Sequence, residues 1–155
     1  MISTKKYLRR YRMACDELDS LTEEHDRIIS NLMSMTARYD GEGGSSGPKD
    51  KVGDGVSQLV DLCKTIDDEV RFYIAVRDDV RSVVREVMHD NIVLGQCLHY
   101  RYIMGWKPSV VADQMGYDDS RERAIHRKAL QVVAGILERR ERVQSHPILP
   151  DAPVV

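Results

Sequence analysis

The sequence predicts an all-α protein, in which a long antiparallel helical hairpin of coiled-coil type is followed by a C-terminal three-helix helix-turn-helix unit. Three observations carry this expectation. Apolar residues recur four and three apart along two long stretches. A Gly-rich segment separates those stretches, and the C-terminal third is cut into shorter helical pieces at Gly105 and Gly116.

The first stretch places Tyr7, Tyr11, Ala14, Leu18, Leu21, Ile28, Leu32, Met35 and Tyr39 on one seam, with His25 as its only polar member. Such a helix cannot hide its stripe alone and calls for a partner. The partner follows the segment DGEGGSSGPKDKVGDG, whose six Gly, one Pro and two Ser read as a flexible loop over about 41–54. Beyond it the seam resumes at Val56, Leu59, Cys63, Ile66, Val70, Tyr73, Val80, Val84 and Val87, broken at Arg77. Two matched seams around one loop give a hairpin of residues about 4–40 on about 55–89, within a region 1–90 suited to oligomerisation or partner binding.

Asn91 then offers an N-cap for the helix IVLGQCLHYRYIMG, which Gly105 ends. Pro108 is tolerated in the first turn of the short helix PSVVADQM, and Gly116 closes it. A basic helix comes next, with Asp119 read as its N-cap and Glu122 completing a capping box. Ile125, Ala129, Val132, Val133 and Ile136 are its expected apolar face. The three helices make a unit over 91–140, and residues 141–155, with three Pro in the last eleven, are expected to be extended or disordered.

Charge and composition narrow the function. The chain of 155 residues has 31% charged residues, one Phe and one Trp, which suits exposed helices better than a thick core. Its net charge of −2 argues against a uniformly basic binder of nucleic acid, yet residues 120–142 hold seven basic side chains against three acidic. A basic stripe on an acidic chain is the footprint of a single DNA-docking face. Cys15, Cys63 and Cys97 form no paired or metal-ligating spacing and fit a reducing cytoplasm. No apolar run reaches the ~20 residues that cross a bilayer, and MISTKKYLRRYRMACDE has no apolar segment behind its charges, so neither a membrane nor export is expected.

The run CLHYRYIMGWKPSVVADQMGYDDSRERAIHRKAL resembles region 4 of bacterial sigma factors. The matching elements are Leu98, Arg101, Tyr102 and Gly105, then Val111, Ala112, Met115 and Gly116, and finally Ala129 with Leu130. With the helical N-terminal half, the chain is similar to phage transcription regulators of the ArpU and RinA type. That resemblance implies a regulator of late phage genes, working in the cytoplasm of a bacterial host. Two features depart from the pattern. Lys107 and Pro108 stand where a small polar cap and a Trp are usual, with Trp106 nearby, and Glu122 stands where an aliphatic residue is usual.

A recognition helix presents its N-terminal residues to base edges in the major groove while flanking groups hold phosphates. If Ile125, Ala129 and Val132 face inward, Ser120, Arg121, Ala124, Arg127 and Lys128 share the outward face. Arg121 and Arg127 are the candidates for base contact, because a guanidinium pairs bidentately with guanine. Arg123, His126, Lys128 and Lys107, with Arg101 from the preceding helix, are candidates for phosphates. Because one small unit makes few contacts, a homodimer or host RNA polymerase is expected as a further partner. A DNA-packaging protein of the small terminase kind, or an adaptor that binds RNA polymerase without touching DNA, would also use such helices.

No enzyme, cofactor or metal site is expected. Glu86 and His89 have the spacing of half a di-iron site, but the second E-x-x-H is missing. The Gly-rich segment lacks the G-K-[ST] order of a phosphate loop. His25 in a seam reads as a hydrogen-bonded structural residue.

Overall fold

The computed structural model describes residues 3–40 and 50–145, with their side chains apart from those at 36, 38–40 and 50–52. Among the described residues the protein is all helical. The helices are α1 (Thr4–Asp40), α2 (Asp50–Asp90), α3 (Ile92–Leu98), which widens into a π-helical turn over His99–Ile103, α4 (Pro108–Met115) and α5 (Asp119–Ser145). The side chain of the seam residue Tyr39 and the loop residues 41–49 lie outside what is described.

Packing divides the chain within its two long helices and not at residue 90. One compact unit takes Met13–Arg77, and the other the described parts of Met1–Arg12 and Asp78–Val155. In the first unit α1 and α2 meet along the expected seam. Leu21, Ile28 and Ile66 are buried there, with Leu32, Leu59, Cys63, Val70 and Tyr73 packed against them. Single layers of this kind bury little per residue, and Met35 at the end of the seam stays 39% exposed.

In the second unit the burial is deeper and two-sided. Tyr7 and Tyr11 from α1 and Val80, Val84 and Val87 from α2 are the expected seam residues buried in this unit. Leu8 and Val83, which lie off that seam, are also fully buried. Here α2 has a second set of neighbours, so a heptad count identifies only half of its buried face. Cross-links at the rim fix the register: Tyr7 donates its hydroxyl to Asp79 (2.7 Å), and Arg81 donates to the hydroxyl of Tyr11 (2.6 Å) while lying over its ring.

The turn from α2 to α3 takes one residue. Asn91 is extended (φ −148°, ψ 105°), and its side-chain oxygen accepts from the amide of Leu94 at 3.1 Å, so it caps α3 as expected. The reversal is tight enough that a Cβ built on Gly95 would lie 2.3 Å from the Cα of Met88. Only glycine allows that approach of α3 to the end of α2.

Two element ends differ from the sequence expectation. α2 begins at Asp50 and so takes in residues 50–54 of the expected loop. Once Val56 and Leu59 are anchored, each added turn gains hydrogen bonds, and Gly53 and Gly55 oppose this by only about 1 kcal/mol each. α5 runs to Ser145 and absorbs residues 141–145 of the expected tail. The pair Arg142–Glu138 (3.9 Å) and the bond from Ser145 Oγ to the Glu141 carbonyl (2.8 Å) support that last turn. Residues 146–155 of the expected tail lie outside the described residues.

Candidate nucleic-acid interface

α3, α4 and α5 pack on one another, and the turn between α4 and α5 is fixed entirely by local chemistry. Gly116 takes the left-handed conformation (φ 72°, ψ 32°). Its amide donates to the Asp113 carbonyl at 3.1 Å, and the next amide, of Tyr117, reaches back to the Ala112 carbonyl at 2.9 Å. This is a Schellman closure, which satisfies the last carbonyls of α4. Asp118 then starts α5, its Oδ1 accepting from the amide of Arg121 at 2.7 Å. The cap is therefore Asp118 and not Asp119. Glu122 does not complete a capping box, because its side chain is drawn inward by a stronger partner.

That partner is Arg101. Its Nε donates to Glu122 Oε1 and its Nη2 to Oε2, each at 2.6 Å. Glu122 is fully buried, and the Cys97 thiol adds a third bond to Oε1 at 3.4 Å. Burial alone would raise the Glu122 pKa, but the hydrogen bonds and charge of Arg101 outweigh it and hold the carboxyl below its usual range. The Cys97 thiol is pushed up to about 12 by burial and then by the neighbouring carboxylate, which makes it a neutral donor. A paired, hydrogen-bonded charge here fills the site expected of an aliphatic side chain.

One turn further along α5, His126 is 8% exposed and its Nε2 lies 3.0 Å from the hydroxyl of Tyr102. Burial first, and then the charge of Arg101, push its pKa down to about 4. The inner face of α5 is therefore Glu122, His126, Ala129, Val133 and Ile136. Ile125 is half-buried and Val132 is 36% exposed, so the helix is turned away from the orientation the apolar residues alone suggest. Two polar residues occupy the inner face because α3 supplies partners for both.

This placement corrects two of the candidate contacts. Arg101 is committed to Glu122 and is not a phosphate-binding cation. His126 is buried and uncharged at neutral pH, so it does not reach a phosphate either. The other candidates, Ser120, Arg121, Arg123, Ala124, Arg127, Lys128 and Lys107, are all exposed. Arg123 donates from Nε to the Asp119 carbonyl at 3.1 Å, which lays it along the first turn. With Asp119 it lines an open cleft of about 400 Å³ whose other wall is Lys107, Pro108 and Ser109, so the starts of α4 and α5 border one depression. Trp106 is half-buried and stacks on Tyr100 with ring centroids 4.9 Å apart.

Sequence reasoning passed over Tyr117. Its half-buried ring lies beneath the Arg121 guanidinium, 4.6 Å from centroid to carbon. The available signal was positional, an aromatic residue placed four before a candidate base-reading arginine and directly after the glycine of the turn. The Glu86–His89 pattern has a structural role at Glu86, which accepts hydrogen bonds from Arg139 and Arg140 on α5. Among the described residues no group of His, Cys, Asp or Glu is arranged to hold a metal ion, and no helix is long and apolar enough to cross a membrane.

Comparison with models of known families, with curated proteins and with solved structures returned no match.

Proposed function

We propose that this protein is a sequence-specific double-stranded DNA-binding transcription regulator that reads the major groove with the exposed face of α5. The observation that carries the reading is the partition of that helix. Glu122, His126, Ala129, Val133 and Ile136 are buried, while Ser120, Arg121, Ala124, Arg127 and Lys128 are exposed around the opposite side. A helix that turns its polar but neutralised residues inward and keeps four of its basic residues, Arg121, Arg123, Arg127 and Lys128, on the surface suits a polyanion. Lys107 and Arg123, at the cleft between the starts of α4 and α5, suit a phosphate beside the groove.

Glu122 does not favour the alternative of an adaptor that avoids DNA, because its charge is internal and neutralised by Arg101. The resemblance of the sequence to phage regulators of the ArpU and RinA type supports a role in control of late phage genes within a bacterial host. The helical hairpin of Met13–Arg77 is the element available to a second copy or to RNA polymerase.

The test is a mobility-shift titration on fragments of the phage genome. A subset of fragments bound preferentially, with affinity falling steeply as salt rises, supports the reading. Equal binding to every fragment rejects sequence-specific regulation, and no binding at low salt rejects DNA binding altogether.

A further inference from the structure

Among the described residues, Arg121 is the one cation of α5 whose guanidinium lies over an aromatic ring, that of Tyr117. The guanidinium carbon of Arg121 lies 4.6 Å above the Tyr117 ring, within the ~6 Å range of a cation–π contact. Both backbones are held. Tyr117 is tied to Ala112 by its amide (2.9 Å), and the Arg121 amide is tied to the Asp118 carboxylate (2.7 Å). The ring is half-buried at the turn, whereas the arginine is exposed. Arg123, by contrast, spends its Nε on the Asp119 carbonyl.

A ring that covers one face of a guanidinium leaves the N–H rim open, and that rim donates in the plane of the group. In-plane donation to two acceptors is the geometry that guanine O6 and N7 require in the major groove. A stacked arginine has also lost much of its rotamer freedom before binding, so less is lost on contact. A phosphate can also take this fork, but its oxygens accept from many directions, so a preset guanidinium matters less there than at a base edge.

We propose that Tyr117 is a positioning residue that presets Arg121 to read a single guanine, and that the recognised site therefore holds a fixed guanine opposite the start of α5. The inference rests on the DNA-reading role of α5 and adds to it the identity of one base and the residue that enforces it.

The experiment selects bound duplexes from a library with a randomised centre, using the full chain as wild type, Tyr117→Phe, Tyr117→Ala and Arg121→Ala. Wild type and Tyr117→Phe are expected to recover a motif with one nearly invariant guanine. Tyr117→Ala and Arg121→Ala are expected to recover the remaining positions with that guanine relaxed. A motif unchanged in Tyr117→Ala overturns the positioning role and leaves the DNA-reading role intact. A wild type that enriches no motif overturns both.

A second measurement needs no variant. Replacing the invariant guanine by 7-deazaguanine removes N7 alone, and is expected to weaken wild-type binding by about tenfold. Undiminished binding to that duplex overturns the assignment of guanine to Arg121.

Discussion

Arg101 and Glu122 face each other edge to edge, with two hydrogen bonds of 2.6 Å between a guanidinium 16% exposed and a carboxylate 1% exposed. They join the π-helical turn after α3 to the first turn of α5 and thereby set the rotation of the helix that carries the exposed cations. Pairs of this kind add little net stability relative to well-packed apolar residues, but breaking one leaves a buried charge unmatched.

Glu122→Ala is accordingly expected to destabilise the fold by about 3–5 kcal/mol, measured as a shift in urea midpoint at unchanged slope. The double variant Arg101→Met with Glu122→Leu is expected to recover most of that loss. If Glu122→Ala costs less than about 1 kcal/mol, the pair does not hold α5.

His126 predicts a pH dependence with a definite sign. Its pKa in the folded protein is about 4, below the ordinary value of 6.5, so the unfolded chain takes up a proton first as pH falls. Stability is therefore complete above about pH 6.5 and declines through the window down to about 4, where the folded protein also binds the proton. The decline is on the order of 3 kcal/mol over the whole window, of which about 2 kcal/mol falls between pH 7 and pH 5. Urea titrations at pH 7 and pH 5 measure it, and His126→Phe is expected to flatten the dependence. The depressed pKa of Glu122 adds a further loss at still lower pH.

Two glycines separate steric from conformational cost. Gly95→Ala places a Cβ against the Met88 backbone and is expected to cost about 3 kcal/mol or more. Gly116→Ala meets no neighbouring atom but keeps a positive φ, and is expected to cost only about 1 kcal/mol. Thermal melting of both variants checks the order, and a Gly95→Ala protein as stable as wild type would rule out the close approach of α3 to α2.

On DNA, the exposed cations are expected to fall into two groups. Lys107→Ala is expected to weaken binding evenly across sequences and to reduce the slope of affinity against salt by about one ion. Arg127→Ala is expected to lose about 1–3 kcal/mol of discrimination at one base pair. Anisotropy titrations over a salt series distinguish the two patterns, and identical behaviour of the two variants would argue against the division of roles.

Local features were legible in the sequence because local chemistry decides them. Asn91 as a cap, Gly116 as a left-handed stop and the seam through Leu21, Ile28 and Ile66 needed no knowledge of distant residues. The rotation of α5 was not legible in the same way. It depends on Arg101 and Tyr102, which lie more than twenty residues away and offer partners to Glu122 and His126. An apolar count assumes that charged residues point outward, so it turned the helix toward Val132 and assigned Arg101 and His126 to phosphates. Leu8 and Val83 were missed for a related reason, since a heptad follows one seam and these residues serve another.

The central claim is that the outer face of α5 distinguishes one DNA sequence from others. The most direct measurement is fluorescence anisotropy with a duplex bearing the selected motif and a shuffled duplex of equal composition, between about 50 and about 200 mM salt. The predicted result is a preference for the motif of about a thousandfold that persists as both affinities fall with salt. Equal affinity for the two duplexes, or no binding to either at the lowest salt, would contradict it.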